Sequence, residues 1–176
     1  HPMRNVLLAG YLLLSAPVSL AQDGLRPHIV TSTNAMGEKE YRDDRVPTIP
    51  DTSACFIYVG TKQNGDLWLR LQVRHAGYQR LDIEKIVFSK DARKLDLVVD
   101  PALLQSGNNG MIQWEWYDTP PSPNEQKAIV AMINEPGVKL TLIGHRGTVE
   151  RIITENERVA MQNLLEQARV LGRVQE

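Results

Sequence analysis

The sequence predicts an α+β domain, in which a mainly antiparallel sheet of about seven strands carries two amphipathic helices packed on one face. Three observations predict this fold. Short apolar runs separated by polar turns follow one another through residues 54–99, as in an antiparallel meander. Two helix-capping sequences occur in the last third of the chain. Between the two helices, residues 138–153 have the pattern of a hairpin with a glycine-flanked turn.

The first residues have the layout of an export signal. His1 and Pro2 precede the first Met and are interpreted as remnants of expression cloning, outside the fold. Residues 3–21 then follow the order of a signal peptide, with one cation, Arg4, an apolar run, and small residues that end at Ala21. The apolar run is shorter than the roughly 20 residues that span a bilayer. We therefore expect cleavage after Ala21 and a periplasmic or secreted protein without stable membrane insertion; the alternative is an N-terminal helix of the folded domain.

Residues 22–51 have the weakest pattern and are expected to form a largely irregular lead-in, with one short strand near residues 28–31. The charged residues of this region, followed by Pro47 and Pro50, favour turns and irregular chain. Residues 52–176 are expected to form a single α+β domain. After removal of the signal, a chain of about 155 residues is long enough to bury one sizeable core.

The predicted strands begin with the apolar and aromatic run of residues 54–60, after which Asn64 and Gly65 favour a tight hairpin turn. In the next strand, residues 66–75, the odd-numbered positions from 67 to 73 are apolar. The even-numbered positions are Trp68, Arg70, Gln72 and Arg74. This alternation predicts one face toward the core and one wetter face. Further strands are predicted at residues 80–89, 95–99, 111–117, 138–143 and 148–153.

Two helices are predicted from their first turns. Ser122, Pro123 and Glu125 supply an N-cap, a proline at the first helical position and the acidic partner of a capping box. Thr154 and Glu157 form a second capping box, and the apolar residues that follow keep helical spacing on one side of the helix. Both helices are therefore expected to bury one face.

The composition argues against two classes of partner. The net charge is -1, and loss of Arg4 with the signal makes it one unit more negative, so neither nucleic acid nor an anionic membrane surface is expected as a partner. Cys55 is the only cysteine, so no internal disulfide can form and core packing must supply the stability. Cys55 lies in an apolar run and is expected to be a buried core residue.

The sequence predicts no catalytic residues, no metal site and no cofactor. It contains neither a Gly-x-Ser-x-Gly nor a Ser-x-x-Lys motif. A cysteine nucleophile would require Cys55, His75 and His145 to converge from three separate segments. No His-x-x-x-His or Cys-x-x-Cys pair is present to set the geometry of a metal site locally.

Two features are candidates for binding. Trp114 and Trp116 lie on the same face of one predicted strand, where they would stack on a sugar or seat a peptide if exposed; the alternative is an aromatic pair in the core. His145 and Arg146 lie at the tip of the last hairpin, between two glycines. A short tip with one guanidinium and one titratable ring suits docking to a carboxylate or to a partner protein; the alternative is an ordinary solvated turn.

The predicted function is that of an exported, non-catalytic protein that binds a macromolecular partner, most simply another protein of the cell envelope. Envelope or secretion-system components, inhibitors and immunity proteins belong to this class. The alternative is a small periplasmic hydrolase or cell-wall-modifying enzyme whose site is assembled from scattered residues. A binding protein would show a projecting loop or an apolar patch, whereas an enzyme would show a cleft with convergent polar groups.

Overall fold

A computed structural model describes residues 24–173 of the chain, so the predicted signal peptide lies outside the described residues. The elements in chain order are β1 (Ile29–Thr33), β2 (Lys39–Asp43), β3 (Ala54–Thr61), β4 (Leu67–Gly77), β5 (Ile83–Lys90), β6 (Arg93–Val98), β7 (Gln105–Asn108), β8 (Gln113–Thr119), α1 (Pro123–Ile133), β9 (Lys139–Gly144), β10 (Gly147–Ile152) and α2 (Glu155–Arg173). The predicted α+β class is confirmed.

The strands form two antiparallel sheets, which corrects the expectation of one sheet of about seven strands. Six strands pair in the order β1-β2-β3-β4-β8-β7, and four pair in the order β10-β9-β5-β6. The predicted meander divides between β4 and β5, where Asp82 adopts a positive φ of 51°. The chain enters the second sheet at this turn, and β8 takes the place beside β4 that a continuous meander would give to β5.

The first two strands lie in the region that was expected to be largely irregular. β1 and β2 form a hairpin, and β2 also pairs with β3. Asn34 closes the turn, because its side-chain oxygen accepts hydrogen bonds from the backbone nitrogens of Met36 and Glu38 at 3.0 Å. Tyr41 anchors the hairpin, since its side chain is buried in the core. The short strand expected near residues 28–31 is present as β1, whereas the polar sequence of β2 hides that strand from a pattern based on apolar alternation.

Both predicted capping boxes are present. In α1, the Ser122 side chain accepts a hydrogen bond from the backbone of Glu125, and the Glu125 carboxylate accepts one from the backbone of Ser122. In α2, the Thr154 hydroxyl accepts from the backbone nitrogen of Glu157 at 3.1 Å, and the Glu157 carboxylate accepts from that of Thr154 at 2.7 Å. These bonds satisfy donors that the first turn of a helix leaves free.

The main core lies between the two sheets and the helices. It contains Ile57 and Leu71 from the first sheet, Phe88 and Leu140 from the second, and Met161 from α2. α2 packs against β2, β3 and β4, whereas α1 packs against β5 and β6. The helices therefore cover different sheets and do not share one face, which corrects the second part of the predicted architecture.

Two amides of α2 hold the segment that precedes β1. Gln167 is fully buried; its side-chain oxygen accepts from the backbone nitrogen of Arg26 at 2.8 Å, and its nitrogen donates to the carbonyl of Gly24 at 3.2 Å. Asn163 donates to the carbonyl of Pro27 at 2.8 Å and accepts from the Arg26 guanidinium at 2.7 Å. The start of the described chain is thus fixed to its last helix.

Candidate functional site

A groove with a volume of about 550 Å³ lies on the face of the six-stranded sheet that points away from the main core. We call it the sheet groove and define it by Arg42, Phe56, Gln72, Arg74 and Trp116. Residues of β1 and of the loop before β3 form its walls, namely Val30, Thr31, Ser32, Thr48 and Pro50. No residue of either helix lines the groove, and its walls include exposed side chains of β1 and of the loop before β3.

Strand register brings the groove side chains together. Phe56 of β3 lies opposite Gln72 of β4, and Arg74 of β4 lies opposite Trp116 of β8. Residues two apart on a strand point to the same face, so Gln72 and Arg74 both face the groove while Leu71 and Val73 face the core. The two faces predicted for β4 are confirmed.

Arg74 forms the floor of the groove and is only 5% exposed. Its guanidinium donates hydrogen bonds to the carbonyls of Thr52 at 2.7 Å, Pro47 at 2.8 Å and Thr48 at 3.4 Å. Burial, together with the charge of neighbouring Arg42, lowers the pKa of Arg74. The side chain therefore fixes the loop before β3 to the sheet and keeps a positive charge beneath the groove.

Arg42 lies over two aromatic rings at the side of the groove. Its guanidinium carbon is 4.3 Å from the ring centre of Tyr58 and 5.6 Å from that of Phe56. One guanidinium nitrogen also lies 3.3 Å from the carboxylate of Glu40. Cation–π contact and the ion pair together hold Arg42 in one orientation, with 27% of its side chain exposed.

Asp118 organises the polar part of the same face. Its carboxylate accepts hydrogen bonds from the Tyr58 hydroxyl at 2.6 Å, from Gln72 at 3.0 Å and from the Arg70 guanidinium. Burial raises the pKa of Tyr58 above its usual range, and the bond to Asp118 acts in the same direction. Tyr58 is therefore a hydrogen-bond donor at neutral pH, and the charge of Arg70 is balanced by Asp118.

The predicted tryptophan pair lies on this outer face, but its two members have different surroundings. Trp116 lines the sheet groove. Trp114 covers the edge strand β7, because a methyl group on Gly107 would lie 2.7 Å from the Trp114 indole nitrogen. Trp68 covers Gly60 in the same way, at 2.0 Å. Of the three indoles, Trp116 is the one placed to contact a ligand in the groove.

The predicted hairpin tip joins β9 to β10 at His145 and Arg146, and both residues are exposed. The Arg146 guanidinium forms a 2.5 Å ion pair with Asp82, which also pairs with Arg80 at 2.9 Å. The backbone nitrogens of His145 and Arg146 donate to the carbonyls of Asp82 and Leu81. The tip therefore packs on the turn before β5, and its guanidinium already has a carboxylate partner within the chain.

Cys55 lies in the core and not at a reactive site. It is fully buried, and burial raises the pKa of its thiol, with the Glu157 charge acting in the same direction. The Glu157 carboxylate accepts from the backbone nitrogen of Cys55 at 2.7 Å and from two nitrogens of Arg151 at 2.7 Å. A nucleophilic cysteine needs an exposed thiol with a lowered pKa, and Cys55 has neither property.

His75 and Glu115 lie opposite each other on β4 and β8. Glu115 is fully buried, and its carboxylate accepts from the backbone nitrogens of Leu81 at 2.6 Å and Ile83 at 3.2 Å. Burial lowers the pKa of His75, while the Glu115 charge opposes this effect. Glu115 thus connects the first sheet to the chain segment that opens the second, which is a structural role.

The sequence anticipated only part of this site. Trp116 was predicted on a strand face, and Arg74 belonged to the wetter face of β4. Arg42 was missed because it lies in the region expected to be irregular.

Residues 24–173 hold no group of three or more His, Cys, Asp or Glu side chains placed to bind a metal ion. None of the helices within those residues combines the length and hydropathy that a membrane span requires.

The chain matches no protein-family model, and comparisons with curated proteins and with solved structures find no match either. The function is therefore inferred from the geometry of the sheet groove and from the charges around it.

Proposed function

We propose that this is an exported, non-catalytic protein of the periplasm or the extracellular space, and that it binds another protein of the cell envelope through the sheet groove. The observation that carries the proposal is the open groove itself, which Arg42 of β2 and Trp116 of β8 both line across the face of the sheet. Tryptophan and arginine are the residues most enriched among those that dominate binding energy at protein interfaces.

The side chains of the groove are held in place before any partner binds. Arg42 lies over Tyr58 and Phe56, and Arg74 is fixed by three carbonyl groups. Side chains that are already ordered lose little conformational entropy on association, which leaves more of the contact energy for affinity. The groove therefore has the properties of a preorganised recognition surface.

The hairpin tip is a second proposed contact, with a smaller role than its sequence suggested. Arg146 already pairs with Asp82, so a partner would meet a neutralised guanidinium. His145 remains exposed at the tip. We place the main contact at the sheet groove because its guanidinium groups lie beside aromatic rings and in a concave surface.

The proposal predicts that Trp116→Ala weakens partner binding. The mature protein, beginning at residue 22, is immobilised and used to capture proteins from the native envelope, and the captured partner is identified by mass. Trp116→Ala should reduce the affinity for that partner at least tenfold, or about 1.4 kcal/mol. The loss is expected because truncation removes an aromatic surface from the groove.

Tyr78→Ala is the matched control, since Tyr78 is an aromatic residue that is 77% exposed and lies outside the groove. It should bind the captured partner as wild type does. If Trp116→Ala and Tyr78→Ala both bind normally, the sheet groove is not the recognition surface. If the mature protein hydrolyses an envelope substrate, the binding class itself is wrong.

A further inference from the structure

The floor of the sheet groove carries a positive charge without an ion-pair partner. Among the described residues, no carboxylate lies within 4.0 Å of the Arg74 guanidinium, whose hydrogen bonds go to three backbone carbonyls. These three hydrogen bonds use three of the five N–H groups of the arginine side chain. Carbonyl dipoles stabilise the charge but do not neutralise it.

The charged groups around Arg74 do not neutralise its positive charge. The charge of Arg42 adds to the positive potential at Arg74, and the charge of the exposed Asp51 acts in the opposite direction. Glu40 is committed to Arg42 at 3.3 Å. The Asp118 carboxylate already pairs with Arg70 and accepts a hydrogen bond from Gln72. Two guanidinium groups therefore line one groove whose lining residues include a single carboxylate, that of Glu40, and this excess of positive charge favours an anionic ligand.

An edge strand forms one wall of the groove. Within residues 24–173, β1 pairs only with β2, so its other edge has unpaired backbone donors and acceptors. Val30, Thr31 and Ser32 of this strand line the groove and are exposed. A free edge of this kind pairs with an extended peptide, which supplies the missing backbone hydrogen bonds. The unpaired backbone groups of β1 therefore favour a peptide in extended conformation as the ligand.

We infer that the ligand of the sheet groove is an extended, acidic segment of the partner protein, with a carboxylate placed between Arg42 and Arg74 and an apolar side chain placed against Trp116. This inference rests on the proposed function and specifies its ligand. The planar guanidinium group matches the geometry of a carboxylate, with two parallel N–H donors for two oxygens. Phe56 and Trp116 supply the apolar contact surface beside that anion.

The test uses two fluorescein-labelled peptides, hexaglutamate and hexaglutamine, which share length and backbone and differ in charge. Binding to the mature protein is followed by fluorescence anisotropy. Hexaglutamate should bind at least tenfold more tightly than hexaglutamine, and its affinity should fall as salt is added because the contact is electrostatic. Arg42→Gln should lower the affinity for hexaglutamate at least tenfold, and Arg74→Gln should do the same.

The choice of variants guards against loss of folding and includes a control. Arg42 is partly exposed, so Arg42→Gln decides the outcome if loss of the buried Arg74 prevents folding, as circular dichroism would show. Arg169→Gln is the matched control, because Arg169 is an exposed arginine on α2, paired with Glu166 and distant in sequence from the groove strands. It should bind hexaglutamate with wild-type affinity.

The inference is overturned if hexaglutamate and hexaglutamine bind equally, or if Arg42→Gln leaves hexaglutamate binding unchanged in a folded protein. Partner capture that depends on Trp116 but not on Arg42 would keep the proposed function and refute the acidic ligand. Conversely, hexaglutamate binding that depends on Arg42, with partner capture that survives Trp116→Ala, would support the anion site and refute the groove as the partner surface.

Discussion

At the scale of single residues, Gly144 ends strand β9 beside the hairpin turn, but the reason for a glycine there is close packing and not the conformation of the turn. A methyl group at Gly144 would lie 2.1 Å from the carbonyl oxygen of Leu81 and 2.9 Å from that of Asp82. The backbone of the turn before β5 occupies the space of the missing side chain. Gly144 therefore permits the close approach that lets the hairpin tip pack on this turn.

Gly144→Ala should destabilise the protein by about 1 to 3 kcal/mol, because the added methyl group meets backbone atoms that cannot rotate away. Denaturant unfolding of the variant measures the loss. Gly172→Ala is the matched control, since a methyl group there would lie 3.6 Å from Leu67 of β4, which is an ordinary van der Waals contact. That substitution should leave stability unchanged or raise it. Equal stability of Gly144→Ala and wild type would contradict the close approach.

His75 gives the protein a pH-dependent stability at the same scale. Burial lowers the pKa of folded His75 below the 6.5 of an unfolded chain. Because the unfolded chain then binds the proton more readily, the free energy of unfolding falls as the pH drops from 6.5 toward the folded-state pKa, and levels off below it. Above pH 6.5, the titration of His75 no longer lowers the free energy of unfolding.

His75→Gln removes this titration, so the variant should lose less stability than wild type across the same pH interval. Urea unfolding of both proteins, repeated at several pH values between about 7.5 and 5, measures the two slopes. Parallel slopes would show that burial of His75 does not contribute to the pH dependence.

At the scale of elements, the two helices were predicted well because their capping signals are local in sequence. The Thr154 box lies within four residues, and its hydrogen bonds form as expected. The further role of Glu157 could not be read from the sequence. Its carboxylate also binds Arg151 and the backbone of Cys55, which is 102 positions away along the chain. A capping residue thus also connects α2 to β3 and β10.

Because Glu157 makes these additional contacts, we expect substitution of Glu157 to lower the free energy of unfolding more than substitution of Thr154. Thr154→Ala removes one cap and should cost about 1 kcal/mol. Glu157→Ala leaves the Arg151 guanidinium and the Cys55 amide without their partner and should cost about 3 to 5 kcal/mol. Denaturant unfolding compares them, with Ser122→Ala in α1 as a cap of the simple kind. Equal losses for Thr154→Ala and Glu157→Ala would mean that the buried contacts of Glu157 add no stability.

At the scale of the whole molecule, the sequence predicted the strands between residues 54 and 99 but not how they divide between sheets. The faces of β4 follow from the alternation around Leu71 and Val73, which is a local property. No local pattern encodes the pairing of β4 with β8 or the contacts of Glu115 with Leu81 and Ile83, because each joins segments that are distant along the chain. The candidate site could not be predicted for the same reason, because Arg42 and Arg74 come to line one groove only when β2, β3 and β4 pair.

The attachment of residues 24–27 to Asn163 and Gln167 has a consequence for the order of events when the chain is made. These contacts join positions 136 to 143 residues apart, so they cannot form until α2 has been synthesised. Folds closed by such distant contacts form slowly, because a long loop must be ordered before the contact stabilises it. For the export proposed above, such late closure would keep the chain unfolded for longer, which is the state in which a polypeptide can be threaded through a narrow translocation pore.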